Sequence, residues 1–294
     1  GGAIRAIKAA CLKLGVIKRF IARQGGVAPV FNKARSLYQR DGLAGLKRGL
    51  GMIEPKIDPG IGSGAYDRND YAAWVAQYDT LDDARRAELA DMVASLAQQP
   101  LISVVMPTYQ PNPQWLREAV DSVRNQIYPN WELCIADDAT PDPEVKATLN
   151  DLARTDSRIR VVYREQNGHI SAASNSALAI ASGQWVALLD HDDILPADAL
   201  ARVAECINQH PDAGVIYSDE DKINEHGERL NPYFKPDWNP DLFLSQNMVS
   251  HLGVFRRDLI EAVGGFRLGL EGSQDYDLAL RIIEQLEPRQ IIHI

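Results

Sequence analysis

The sequence predicts an α/β protein with a mostly parallel sheet and helices on both faces. Short β-branched apolar runs recur from residue 101 onward, at 101–106, 131–136, 159–163, 185–189 and 214–218. Segments of helical periodicity separate them, with short links, which means parallel strands joined by right-handed crossovers. The runs near 101, 131 and 185 are apolar without alternation, as strands covered on both faces must be.

In chain order, Leu101–Met106 is a strand ended by Pro107. Trp115, Leu116, Ala119, Val120 and Val123 then recur at three-to-four spacing, predicting a helix over 113–126. Strand Trp131–Ala136 runs into Asp137-Asp138. A helix over 142–154 leads to strand Ile159–Tyr163, and one over 171–181 leads to strand Trp185–Leu189. That strand runs into Asp190-His191-Asp192-Asp193. A helix over 197–209 precedes strand Gly214–Ser218, and a late helix spans 276–286. Residues 289–294 read as a strand just begun, so the natural protein is expected to continue.

Three segments are expected. Residues 1–56 form a basic helical segment, 57–99 a linker and helical lead-in, and 100–294 the main domain, truncated at its C-terminal end. In 294 residues, 45% hydrophobic and 24% charged content is ordinary for a globular chain. It excludes collagen-like, low-complexity and wholly disordered classes. The net charge of −9 argues against nucleic acid as a partner. That charge is divided, with +10 on residues 1–56 and −19 on the rest.

Within 3–23, Ile4, Ile7, Cys11, Leu14, Ile17 and Ile21 sit at helical spacing between basic residues. A basic amphipathic helix over 3–50 would suit peripheral contact with an anionic membrane. A broad apolar stripe equally suits packing on another domain, and that reading is preferred. No run of apolar residues is long enough for a transmembrane helix. Cys11, Cys134 and Cys206 are too far apart in sequence for a zinc motif and suit a reducing compartment. A cytoplasmic protein is expected, peripheral at the inner face of the plasma membrane.

In an open α/β sheet, ligands bind outside the carboxyl ends of the strands. Here those ends carry Pro107-Thr108-Tyr109, Asp137-Asp138 and Asp190-His191-Asp192. No GxGxxG, GxxxxGKS/T or GxSxG pattern is present, which disfavours dinucleotide dehydrogenases, P-loop NTPases and α/β-hydrolases. Carboxylates at alternate positions after a strand suit Mg²⁺ or Mn²⁺, which fill their shells with water and substrate phosphate oxygens. Asp193, before Pro196, would serve equally as a helix cap.

Ser103–Tyr109, Asp137-Asp138-Ala139-Thr140, Asn167-Gly168 with Asn175, Leu189–Asp193 and Asp275–Arg281 together resemble the successive motifs of the family 2 glycosyltransferases of GT-A fold. The resemblance covers about 100–294, and is nearest to bacterial enzymes that build O-antigen and other surface polysaccharides. It implies that Pro107, Thr108 and Tyr109 line the nucleotide pocket, and that one acid of Asp137-Asp138 accepts from base or ribose. It implies close backbone approach at Gly168 beside the nucleotide, support there from Asn175, Asp190 facing the ribose, and Asp192 binding Mn²⁺ or Mg²⁺. Asp275 falls where the family keeps its catalytic base; an N-cap is the lesser alternative, and the two roles can coexist. Many relatives have Glu-Asp where this chain has Gln274-Asp275.

The activity implied is inverting, metal-dependent transfer of a sugar from a nucleotide-diphosphate donor to a glycan or lipid-linked acceptor. A sugar-phosphate nucleotidyltransferase is the first alternative; Pro107–Pro113 lacks its glycine- and lysine/arginine-rich phosphate loop. An inactive nucleotide- or glycan-binding module is the second. Weaker candidates are Asp219-Glu220-Asp221 toward donor sugar or acceptor, and Tyr233, Phe234, Trp238 and Asn247 as an acceptor wall. His251 and His293 are possible late metal ligands.

Overall fold

A computed structural model describes residues 70–294. The chain divides into two compact units, 1–73 and 74–294. The basic segment 1–56, and the membrane contact expected of residues 3–50, lie outside the described residues.

In the described residues, one sheet holds β1 (Ile102–Thr108), β2 (Trp131–Asp137), β3 (Ile159–Tyr163), β4 (Trp185–Leu188), β5 (Val215–Tyr217), β8 (Gly253–Arg256) and β9 (Ile291–His293). Its order is β3-β2-β1-β4-β8-β5-β9. All neighbours are parallel except β8, which runs antiparallel to both β4 and β5. A separate hairpin pairs β6 (Glu220–Ile223) with β7 (Arg229–Tyr233).

The helices are α1 (Tyr71–Tyr78), α2 (Asp83–Ser95), α3 (Pro113–Arg124), α4 (Pro143–Thr155), α5 (His169–Ile180), α6 (Ala199–Gln209), α7 (Pro240–Phe243), α8 (Arg257–Ala262) and α9 (Gln274–Ile283). α3 and α4 each start with Pro in the first turn, and their caps Asn112 and Asp142 accept backbone N–H bonds. That is the combination a helix start favours. The lead-in is tied to α6 by reciprocal bonds between Gln98 and the Asn208 side chain, of 2.9 and 2.8 Å.

The absence of alternation in the central strands has a direct outcome. Ile102, Val104 and Met106 of β1 enter one core with Leu133, Ile135, Leu116 and Val120. Val105 enters the opposite core with Cys134, Ala136, Ala173, Val186 and Phe255. Side chains alternate faces along a strand, so both faces must be apolar when both are covered. Cys134 and Cys206 are buried and unpaired, and burial pushes both thiols up to about 12. They are structural and unreactive near neutral pH.

A buried carboxylate sits at the end of the sheet away from the polar strand termini. Glu132 accepts from Ser103 Oγ at 2.7 Å, Ser182 Oγ at 2.9 Å, Gly183 N at 3.1 Å and Arg160 Nη1 at 3.2 Å. Burial alone would push this carboxyl up, but the hydrogen bonds outweigh it and hold it below the ordinary glutamate range. A depressed folded pKa stabilises above the unfolded value and is lost as pH falls through the folded one. Glutamine keeps an oxygen for the Ser103, Ser182 and Gly183 donors but loses the charge and the acceptor for half-exposed Arg160, so Glu132→Gln is expected to cost about 1 kcal/mol near pH 7. The gap from wild type should close as pH drops below about 4.3, the ordinary glutamate value. Thermal melts across pH measure both.

Candidate active site

β1, β2 and β4 are parallel and end at one edge of the sheet, delivering Pro107-Thr108, Asp137 and Leu189-Asp190 to it. Antiparallel β8 begins at that same edge, since Ala187 pairs with Val254 and Tyr217 with Gly253. The residues that precede β8 are thereby brought beside Asp190. A cleft of about 310 Å³ opens there, lined by Pro107, Ser174, Asp190, His251, Gln274 and Asp275 among others.

The pair Asp137-Asp138 divides its work. Asp138 is 1% exposed, and its carboxylate accepts from Arg164 Nε at 2.7 Å and from the Gly168 amide at 3.0 and 3.1 Å. It is spent on the chain's own structure. Asp137 is 3% exposed; its Oδ2 accepts from the Thr140 amide at 3.2 Å, whereas its Oδ1 is buried with no hydrogen-bond partner. The buried Thr108 Oγ1, paired in register with it, lacks a partner as well. Unsatisfied buried oxygens are costly, and these two stand together on adjacent strand ends. Tyr109, 44% exposed, follows directly.

Gly168 and Asn175 are engaged with other parts of the chain. A Cβ on Gly168 would lie 2.6 Å from Arg164 Nη2 and 2.9 Å from the Ala172 Cβ. Arg164 is pinned by Asp138, the Ala172 carbonyl and Ser176 Oγ, so the glycine makes room for an immobile guanidinium. The Asn175 amide donates to the Phe266 carbonyl at 2.8 Å and accepts from the Phe266 N–H at 2.9 Å. It clamps the segment after α8 onto α5; Phe266 in turn lines the cleft.

The acidic run after β4 is a turn. The Asp193 amide donates to the Asp190 carbonyl at 3.2 Å. Alternation would put positions 190 and 192 on one side; a turn instead brings 190 and 193 together. Ligand atoms of Asp190, Asp193 and His251 lie within 4.8 Å of one another, while Asp192 is exposed at the turn and falls outside that group. Burial pushes the Asp190 carboxyl up; His251 opposes this, and the charges of Asp193 and Asp192 add to it. Burial also pushes Asp193 up; His251 opposes this, and the charges of Asp192 and Glu220 add to it. Such a crowd of acids fits a divalent cation, which would supply the missing positive charge. Asp193 caps no helix, because α6 begins only after Asp198.

Asp275 stands in the first turn of α9 but does not cap it; the N-cap position is Ser273. Its Oδ2 accepts from Asn247 Nδ2 at 2.7 Å. His251 is held through its backbone: Lys235 Nζ donates to the carbonyls of His251 at 2.6 Å and Val249 at 3.2 Å, and pairs with Glu220 at 3.0 Å. Burial pulls the Lys235 ammonium down, and Glu220 works against it. Asp219 accepts from the Lys235 amide and faces His293 Nε2 at 2.8 Å, and Asp221 pairs with Arg229 at 2.5 Å. Asp219 thus reaches β9 of the sheet, Glu220 reaches Lys235, and Asp221 braces the β6–β7 hairpin internally.

The stretch of chain that carries most of these residues matches a known family. The profile for "Glycosyl transferase family 2" matches residues 103–264. The chain belongs to glycosyl transferase family 2. Its fold is GT-A.

Among its relatives, "Uncharacterized protein y4gI" of Sinorhizobium fredii is 54% identical over 76% of this chain and 25% of its own length. "O-antigen biosynthesis protein RfbC" of Myxococcus xanthus is 39% identical over 73% of this chain and 17% of its own. The chain thus spans a quarter or less of these curated relatives. Among solved structures, Staphylococcus aureus TarS 1–349 in complex with UDP-GlcNAc superposes with TM-score 0.51 at 22% identity, over 62% of this chain and 52% of that one. The mannosyltransferase PcManGT of Pyrobaculum calidifontis, in complex with GDP-Man and Mn²⁺, superposes with TM-score 0.50 at 19% identity, over 72% and 63%.

Among the described residues, no helix is long and apolar enough to cross a membrane.

Proposed function

We propose that this family 2 glycosyltransferase is an inverting, metal-dependent enzyme. It would move a sugar from a nucleoside-diphosphate donor to a growing glycan or lipid-linked acceptor in surface polysaccharide synthesis. The observation that carries this reading is the one cleft that Asp190, His251 and Asp275 share. Asp137 Oδ1 and Thr108 Oγ1 are the unsatisfied groups for the nucleobase and ribose, and the Tyr109 ring offers an apolar face. Pro107 walls the cleft beside them. Gly168 and Asn175 support the donor side through Arg164 and Phe266.

Asp190, Asp193 and His251 would hold the divalent cation, with Asp192 on the same turn as the ligand that family resemblance implies. Bound there, Mn²⁺ or Mg²⁺ would offset the charge on a departing diphosphate. Asp275 takes the proton of the acceptor hydroxyl as that oxygen attacks the anomeric carbon and the bond to the diphosphate breaks. Attack from the face opposite the leaving group inverts the anomeric centre. The similarity to RfbC, by that protein's name, supports a role in surface polysaccharide synthesis.

Water can replace the acceptor, and its product reports the stereochemistry. With α-linked UDP-GlcNAc or GDP-mannose and Mn²⁺, proton NMR of the first sugar released should show the β anomer before mutarotation. Appearance of the α anomer first would contradict the inverting assignment.

A further inference from the structure

We infer that Asn247 is a positioning residue that aims the Asp275 carboxylate; the inference rests on the reading of Asp275 as base. Asn247 lies 28 positions before Asp275, on the segment between α7 and β8. Its amide is committed at both ends. Oδ1 accepts from the backbone N–H groups of Val249 and Ser250, both at 3.2 Å. Those two bonds fix which end is nitrogen, so Nδ2 must be the group that meets Asp275 Oδ2 at 2.7 Å. An amide whose flip is settled by two backbone donors is a pre-oriented donor. Asp275 Oδ1 makes no hydrogen bond among the described residues, and Asp275 lines the cleft. Donation to one oxygen leaves the other to receive the proton.

The segment that carries Asn247 also carries His251. Lys235 anchors it at the carbonyls of Val249 and His251. Base and acidic turn are therefore set relative to each other by a five-residue strap, 247–251, held from beneath by one buried ammonium. Reaction geometry at this precision matters, because a displacement of about 1 Å can cost on the order of 10²-fold in rate. The other groups near Asp275 do not substitute for Asn247. Asp277 is paired with Arg281 and Arg267, the Tyr276 hydroxyl donates to the Phe243 carbonyl, and Gln274 accepts from the Gly272 amide. Across the cleft the titratable groups are Asp190 and His251.

Asn247→Asp separates aiming from turn-building. Aspartate keeps an oxygen for the Val249 and Ser250 amides, but it removes the donor and sets a second carboxylate against Asp275. The assay is nucleoside diphosphate release from UDP-GlcNAc or GDP-mannose with Mn²⁺, water as acceptor. Expected are a fall in kcat of about 10²-fold, unchanged UDP or GDP affinity, an unchanged melting temperature, and an acid limb of the rate profile moved to higher pH. Full kcat with an unmoved acid limb would overturn the inference and leave Asn247 a turn former. Loss of nucleoside diphosphate affinity or of folding would overturn it too, by showing that Asn247 acts elsewhere. Asp275→Asn in the same assay keeps the two readings apart. If that variant retains turnover, the base assignment has failed; if it is inactive while Asn247→Asp is not, only the positioning role has failed.

Discussion

Asp275→Asn is expected to lower nucleoside diphosphate release by about 10³-fold, within the range that a positioned general base contributes. Donor affinity should survive. The substitution keeps the shape of the side chain and changes only its ability to take a proton. It disturbs no cap, because Asp275 does not cap α9. An amide facing the Asn247 amide can still pair, oxygen to nitrogen, so the local packing tolerates it. Steady-state rates and nucleotide titration on the same preparation separate lost chemistry from lost binding. Retention of more than about a tenth of the wild-type rate would remove Asp275 as base, since one tenfold step is only about 1.4 kcal/mol of barrier.

Asp190→Ala is expected to remove the Mn²⁺-dependent part of nucleoside diphosphate affinity, a loss of about 10²-fold. Removing even an outer partner of a metal ligand costs 10- to 100-fold, and a direct ligand should cost no less. The residual affinity should equal that of wild type in chelator, because Asp137, Thr108 and Tyr109 are untouched. Two further variants divide the turn. Asp193→Ala should reproduce the effect if turn geometry selects the ligands, and Asp192→Ala should do so if alternate spacing selects them. Loss of affinity in Asp190→Ala that persists without metal would instead point to direct contact with the ribose.

The contrast between Asp192 and Asp193 shows where sequence reading stops. The runs at 101–106, 131–136 and 185–189 are legible because burial on both faces requires apolar side chains without alternation, and those at 159–163 and 214–218 because β-branched residues recur in the same spacing. Their polar termini locate the site edge without further information. Which carboxylate does what is a matter of a single bond. Asp137 and Asp138 look alike in sequence, and only the Arg164 and Gly168 contacts show that Asp138 is occupied. A turn closed by one amide exchanges Asp192 for Asp193 beside Asp190.

His251 is an isolated histidine in sequence. It reaches the acidic turn because β8 enters the sheet antiparallel between β4 and β5, a short insertion that periodicity does not reveal. Asn247, expected at an acceptor wall, donates to Asp275. The acids at 219–221 carry the pattern of a solvated or ligand-binding turn, yet Lys235, His293 and Arg229 absorb them. Long-range pairing of this kind leaves no local trace.

The central claim is that the cleft holding Asp190, His251 and Asp275 is a metal-dependent site for a nucleoside-diphosphate donor. Calorimetric titration of the wild-type chain with UDP and with GDP, in Mn²⁺ and in chelator, tests it most directly. At least one of the two is expected to bind, with affinity about 10²-fold tighter when Mn²⁺ is present. Equal affinity with and without Mn²⁺, or no binding of either, would contradict it.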